Sequence, residues 1–148
     1  MRLSILLAFL VFSRITMAAD FTGTWKLNSE KSKLQSEYAS DIIRIEQIAP
    51  LSYRMIYDVV SKAGQQFHSE VVRTFDGKSR PLEGGDAITE INDHPDDVTW
   101  RSQRVKEGKV IDERRAVLDS ASRTQTVQRM TVTESGQIVR EILVFEKQ

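Results

Sequence analysis

Two histidines and a band of arginines are the residues most able to do chemistry in this chain. His68 stands in Phe67-His68-Ser69-Glu70. On a strand, residues two apart share a face, so Glu70 could orient His68 as a general base. No Gly-x-Ser-x-Gly nucleophile motif accompanies the pair, and an exposed polar strand face accounts for it equally well. Asn92-Asp93-His94-Pro95-Asp96-Asp97 brings three carboxylates together with the second imidazole. Its spacing fits no EF-hand loop, and no second histidine stands beside it to complete a zinc set. Asx and proline residues are also common turn formers, so the segment is expected to turn and no metal is assigned to it. Arg101, Arg104, Arg114, Arg115, Arg123 and Arg129 concentrate in one stretch. Strand alternation sends some of them inward and others outward. An inward arginine could hold an anionic head group through two parallel hydrogen bonds, or pair across strands with Asp112 or Glu113. Tyr53, Met55 and Tyr57, with Phe67 and Phe75, supply the best apolar wall, either of a pocket or of a plain core. No catalytic residue and no cofactor is assigned.

The elements that must position these groups read as short β segments between turns. Asp20–Asn28 is the expected first strand. Ser29–Ser40 has the one stretch of helical character, with Leu34 and Tyr38 four apart. Asp41–Ile48, Ser52–Ser61, Gln65–Phe75 and Ala87–Asn92 are expected strands. So are Asp97–Val105, Val110–Leu118, Ser122–Thr133 and Gln137–Lys147. Along Ser52–Ser61, Tyr53, Met55, Tyr57 and Val59 fall on one face and Arg54 and Asp58 on the other. Hairpin-length connections make sequence neighbours spatial neighbours. The expected fold is all-β: an up-and-down antiparallel β-barrel of about 8–10 strands with a short helical segment after the first. Such a meander tends to close, because closure removes unpaired edges. Val110-Ile111-Asp112-Glu113-Arg114-Arg115 carries charge on both faces. A dry interior would strand an unpaired charge there at a cost of several kcal/mol. A wet, polar lumen tolerates it, as does an exposed, twisted hairpin.

Composition bounds the rest. The chain has 148 residues, no cysteine and equal numbers of acidic and basic side chains. It therefore has no disulfide and no thiolate site, and no electrostatic reason to bind nucleic acid. Met1-Arg2, the apolar Leu3–Phe12 and the small residues of Met17-Ala18-Ala19 have the layout of a secretory signal. The apolar run is too short for a membrane span, which takes roughly 20 residues. Residues 1–19 are therefore expected to be a cleaved signal peptide and 20–148 the mature domain, a secreted or periplasmic monomer. An outer-membrane barrel is excluded by the charges on both faces of Val110–Leu118 and by the sparse aromatic content.

Phe21-Thr22-Gly23-Thr24-Trp25-Lys26-Leu27 resembles the opening strand of the calycins, the lipocalins and fatty-acid-binding proteins. Its form is closest to the fatty-acid-binding branch, and Val144-Phe145-Glu146-Lys147 resembles that branch's closing strand. The resemblance implies that first and last strands pair, that Gly23 permits close backbone approach and that Trp25 plugs the closed end. The family usually places an arginine and a tyrosine on the last strand to hold a carboxylate. Leu143 and Phe145 stand at those positions here, and Ser29–Ser40 is shorter than the family's two-helix lid. The chain also resembles small lipocalin-like secreted bacterial proteins.

The leading expectation is a binding protein for a small apolar or amphipathic ligand held in the lumen. Tyr53, Met55, Tyr57, Phe67 and Phe145 would line it, with Arg73 and Glu141 as polar anchors, since Arg73 shares a face with Phe67 and Glu141 with Phe145. Two alternatives stay open: an envelope interaction or scaffold module with a filled core, and an enzyme on the same barrel using His68 or His94.

Overall fold

A computed structural model describes residues 20–35, 38–82 and 87–148. The expected signal segment, 1–19, and the turn at Gly84-Gly85-Asp86 lie outside the described residues. The strands are β1 (Gly23–Leu27), β2 (Tyr38–Ala49), β3 (Ser52–Ser61), β4 (Gln66–Thr74) and β5 (Ser79–Pro81), then β6 (Ile88–Asp96), β7 (Thr99–Lys106), β8 (Lys109–Asp119), β9 (Thr124–Val132) and β10 (Ile138–Lys147). They form one antiparallel sheet in the order β4-β3-β2-β1-β10-β9-β8-β7-β6-β5. The sheet is a meander joined end to end by β1 and β10, with Trp25 opposite Lys147 and Leu27 opposite Phe145.

The sheet curls until its two ends face each other, but β4 and β5 are not hydrogen-bonded together. The expected closure by pairing is therefore replaced by a seam, which side chains span. Arg73 on β4 reaches Glu90 on β6 at 3.4 Å. The Gly77 N–H donates to the Asn92 carbonyl at 2.8 Å. Aromatic rings bridge the same gap. Phe75 lies 4.3 Å from Trp100 and Trp100 lies 4.1 Å from Phe21, both stacked, and Tyr53 joins them at 4.6 Å from Trp100. The core gathers at this end: Phe21, Trp25, Ile45, Leu118, Leu143 and Phe145 are all buried. Trp25 is completely buried, and its indole N–H donates to the Phe21 carbonyl at 2.8 Å. Gly23 has φ +108, which an L side chain rarely adopts. A Cβ there would meet the Lys147 side chain at 2.9 Å, so the close neighbour is a side chain rather than the backbone the resemblance implied.

Three local expectations change. The described residues of Ser29–Ser40 hold no helix. The Asn28 side chain accepts from the Glu30 and Lys31 amides and closes a turn. Lys33 then bridges to Ile142 on β10, and β2 has begun by Tyr38. Short charged segments nucleate helix poorly, and here the sheet edge offers the backbone other partners; residues 36 and 37 lie outside the described residues. The expected loop at Asp93–Asp96 is instead the end of β6, with the register shifting between Asp93 and Asp96. Finally, β5, a three-residue edge strand ending in Pro81, was not anticipated. No helix among the described residues is long and apolar enough to cross a membrane.

Candidate functional site

The curled sheet encloses a cavity of about 420 Å³. Alternation puts every second residue of each strand toward it. Near the Trp25 end its wall is apolar, with Ile43, Ile45, Met55, Phe75, Val127 and Phe145. Beyond them the wall turns polar, and strand register explains how. Glu141 on β10 stands opposite Arg129 on β9, Arg129 opposite Arg114 on β8, and Arg114 opposite Ser102 on β7. One row further along, Asp112 stands opposite Arg104 and Arg104 opposite Glu90. The charges form a belt across five strands.

Like charges directly opposite repel, so the Arg114–Arg129 pair needs compensation. Asp112 supplies it, lying 3.3 Å from Arg114 and 3.4 Å from Arg129, and it also accepts from the Thr131 hydroxyl at 3.0 Å. Glu90 does the same for Arg73 and Arg104, at 3.4 and 3.6 Å. Arg73 is buried, which disfavours its charge. Tyr57 and Glu90 more than offset this and hold the guanidinium above its ordinary range. Its Nη1 donates to the Tyr57 hydroxyl at 2.8 Å. Arg114 lies on the other side of that balance: desolvation pushes its guanidinium down despite Asp112. The four arginines line the cavity, and Glu90, Asp112 and Glu141 are not among its lining residues. The polar wall therefore includes four guanidiniums, a geometry suited to a carboxylate or phosphate oxygen, beside Asp41, Tyr57, Ser102 and Gln125. Of the charges in Val110–Arg115, Asp112 and Arg114 belong to this belt.

Among the residues expected to bind, Met55, Tyr57, Arg73 and Phe145 line this cavity together. Three stand elsewhere. Tyr53 belongs to the ring cluster across the seam. Phe67 has the inward parity of Ser69, Val71 and Arg73, but it sits at the start of β4 and is 57% exposed. Alternation fixes a face and not a depth. Glu141 is buried behind the wall, where it accepts from the Gln35 amide at 3.0 Å and faces Arg129 at 3.7 Å. It ties the segment before β2 to the belt. Residues not assigned from sequence include Asp41, Ile43, Ile45 and Trp100, all on the cavity wall. Asp41, Ile43 and Ile45 alternate along β2, and that period was the available signal.

The histidines lie outside the lumen. His68 is on the outer face of β4, its side chain 65% exposed, and its Nδ1 lies 2.6 Å from Asp58 on β3. Its expected partner, Glu70, is taken instead by Arg54 at 3.0 Å. His94 lies in the exposed end of β6. Next to it, Asp93 pairs with Arg101 on β7 and Asp96 caps the Val98 amide. Of the arginines weighed from sequence, Arg104, Arg114 and Arg129 face inward, and Arg101, Arg115 and Arg123 do not line the lumen.

No protein-family model matches the chain, and no curated protein matches its sequence. Solved structures do match its shape. The wild-type fluorescent protein UnaG superposes with a TM-score of 0.63 at 9% identity, over 86% of this chain and 97% of that one. A Schistosoma mansoni fatty acid binding protein in complex with arachidonic acid superposes with a TM-score of 0.59 at 10% identity, over 86% and 96%. Together with the ten-stranded curled meander, these matches show that the chain has a calycin-like fold.

Proposed function

We propose that this protein binds a small amphipathic ligand in its lumen, with the apolar part against the Trp25 end and an acidic group at the arginine belt. The observation that carries the reading is the cavity itself: about 420 Å³, apolar at one end, with Arg73, Arg104, Arg114 and Arg129 on the wall at the other. Ligand pockets are commonly of this size, mostly apolar with few polar anchors. The arginines come from β4, β7, β8 and β9, which supports an anion site there although the last strand carries Leu143 and Phe145. The match to a structure holding arachidonic acid supports the same class of occupant. A filled-core module would not leave this space, and the outward histidines give an enzyme reading no shared site.

The test is uptake of a dansyl-labelled fatty acid by the purified protein. We expect saturable binding with a blue-shifted emission, weakened at least tenfold by Arg114→Met and by Tyr57→Ala while both variants keep the wild-type circular dichroism spectrum. No uptake, or uptake indifferent to both substitutions, sinks the reading. The leader motivates a second part of the proposal: the protein acts outside the cytoplasm as a monomer after removal of residues 1–19. N-terminal sequencing of the protein from its own cells should then begin at Ala19 or Asp20. A start at Met1 contradicts it.

A further inference from the structure

Four carboxylates belong to the inward set among the described residues: Asp41, Glu90, Asp112 and Glu141. Glu90, Asp112 and Glu141 each have an arginine within 4 Å. Asp41 has none. It is 7% exposed, lies on the cavity wall, and its Oδ1 has no hydrogen-bond partner. Its cross-strand neighbour is Val59, which offers nothing polar. Arg114 and Arg129 act on it only through their fields. A buried acceptor left unmade costs roughly 1–3 kcal/mol. Asp41 is thus an expensive residue at a position where an apolar side chain would pack without penalty, and it belongs to the wall of the space an occupant would fill.

We propose that Asp41 is a second ligand anchor, accepting a hydrogen bond from a hydroxyl or amide N–H carried beside the acidic group of the ligand. This rests on the amphipathic-ligand reading above and narrows it to hydroxy acids, N-acyl amino acids and molecules of that type. The donor is neutral. An ammonium at Asp41 would meet the guanidiniums of Arg114 and Arg129. The donor also lies near the acidic group, because the belt is continuous. Arg114 acts on Asp41, and it is itself acted on by Arg73, Tyr57 and Asp112. Burial pushes the Asp41 carboxyl up to about 6, with Arg114 and Arg129 opposing. At neutral pH it is therefore mostly ionised, an acceptor in need of a donor. The neutral donor lets an acidic group approach the same arginines without placing two bare carboxylates together.

The experiment compares tetradecanoate with 3-hydroxytetradecanoate by calorimetry at pH 7.5, in wild type, Asp41→Asn and Asp41→Leu. The pair differs by one hydroxyl beside the carboxylate. Wild type should prefer the hydroxy acid by about tenfold, the worth of one hydrogen bond to a charged group. Asp41→Leu should bind the two within about twofold of each other, whatever shift common to both acids follows from removing a negative charge beside Arg114 and Arg129. Asp41→Asn, which keeps an acceptor oxygen, should fall between. Thermal melts of both variants control for folding. Equal affinities in wild type, or a preference that survives in Asp41→Leu, overturn the anchor while leaving the carrier reading intact. Binding of neither acid overturns the carrier reading itself, and the anchor with it.

Discussion

Asp41 and Arg73 show how differently two buried charges can be held. Arg73 has Glu90 and Tyr57 as partners, whereas Asp41 Oδ1 has none among the described residues. The Asp41 carboxyl titrates near 6 when folded against 3.8 for an unperturbed group. Between those values the folded state holds a proton that the unfolded state has lost, so stability falls as pH rises through the window. The full penalty, about 3 kcal/mol, applies above pH 6. Asp41→Asn should therefore raise the melting temperature at pH 7.5, with the gain shrinking to nothing near pH 4. An equal shift at both pH values would contradict the assignment. Arg73→Met should behave oppositely, destabilising by about 3 kcal/mol because it strips Glu90 of a buried partner; a denaturant titration reads this directly. Residue-scale legibility followed strand period. Met55, Tyr57, Arg73 and Phe145 could be placed on one inner surface because each alternates with outward neighbours. Asp41 obeys the same period, but a single carboxylate at the head of an apolar strand reads as a boundary. Phe67 shows the limit from the other side, since its parity is right and its depth is not.

At the scale of elements, β1 and β10 carry the fold's most specific information. Gly23–Lys26 pairs with β2 and Trp25–Leu27 with β10, and the Trp25 indole between them is completely buried. Trp25→Ala should cost about 3–5 kcal/mol in chemical denaturation, the range for removing a fully buried large aromatic. Gly23→Ala should also destabilise, through backbone strain at φ +108 and displacement of Lys147. The strands themselves were legible from alternation and turn chemistry, Ser52–Ser61 to the residue. The misses share a cause, which is that tertiary partners overrode local signals. Pro95 and its Asx neighbours suggest a turn, yet β6 runs through them because β7 offers Asp96 a partner in Thr99. The spacing of Leu34 and Tyr38 suggests helix in Ser29–Ser40, yet Asn28 caps a turn and β10 captures Lys33. Three residues of β5 are too few to show a period at all.

For the molecule as a whole, the seam between β4 and β5 is the feature that no one-dimensional reading supplies. Closure depends on long-range contacts, and the residues that span the gap, Arg73 with Glu90 and Phe75 with Trp100, are far apart in sequence. Pro81 withholds an N–H from the exposed edge of β5 and so discourages pairing with another chain. An occupied lumen should raise the melting temperature, since a ligand that binds only the folded state stabilises it by mass action. The measurement that bears most directly on ligand binding is native mass spectrometry of the protein purified from its own cells, set against its denatured mass. A discrete adduct, lost on denaturation and carrying an acidic group beside an apolar chain, is the predicted result. A clean unliganded mass, in a protein that also refuses every fatty-acid probe, would contradict it.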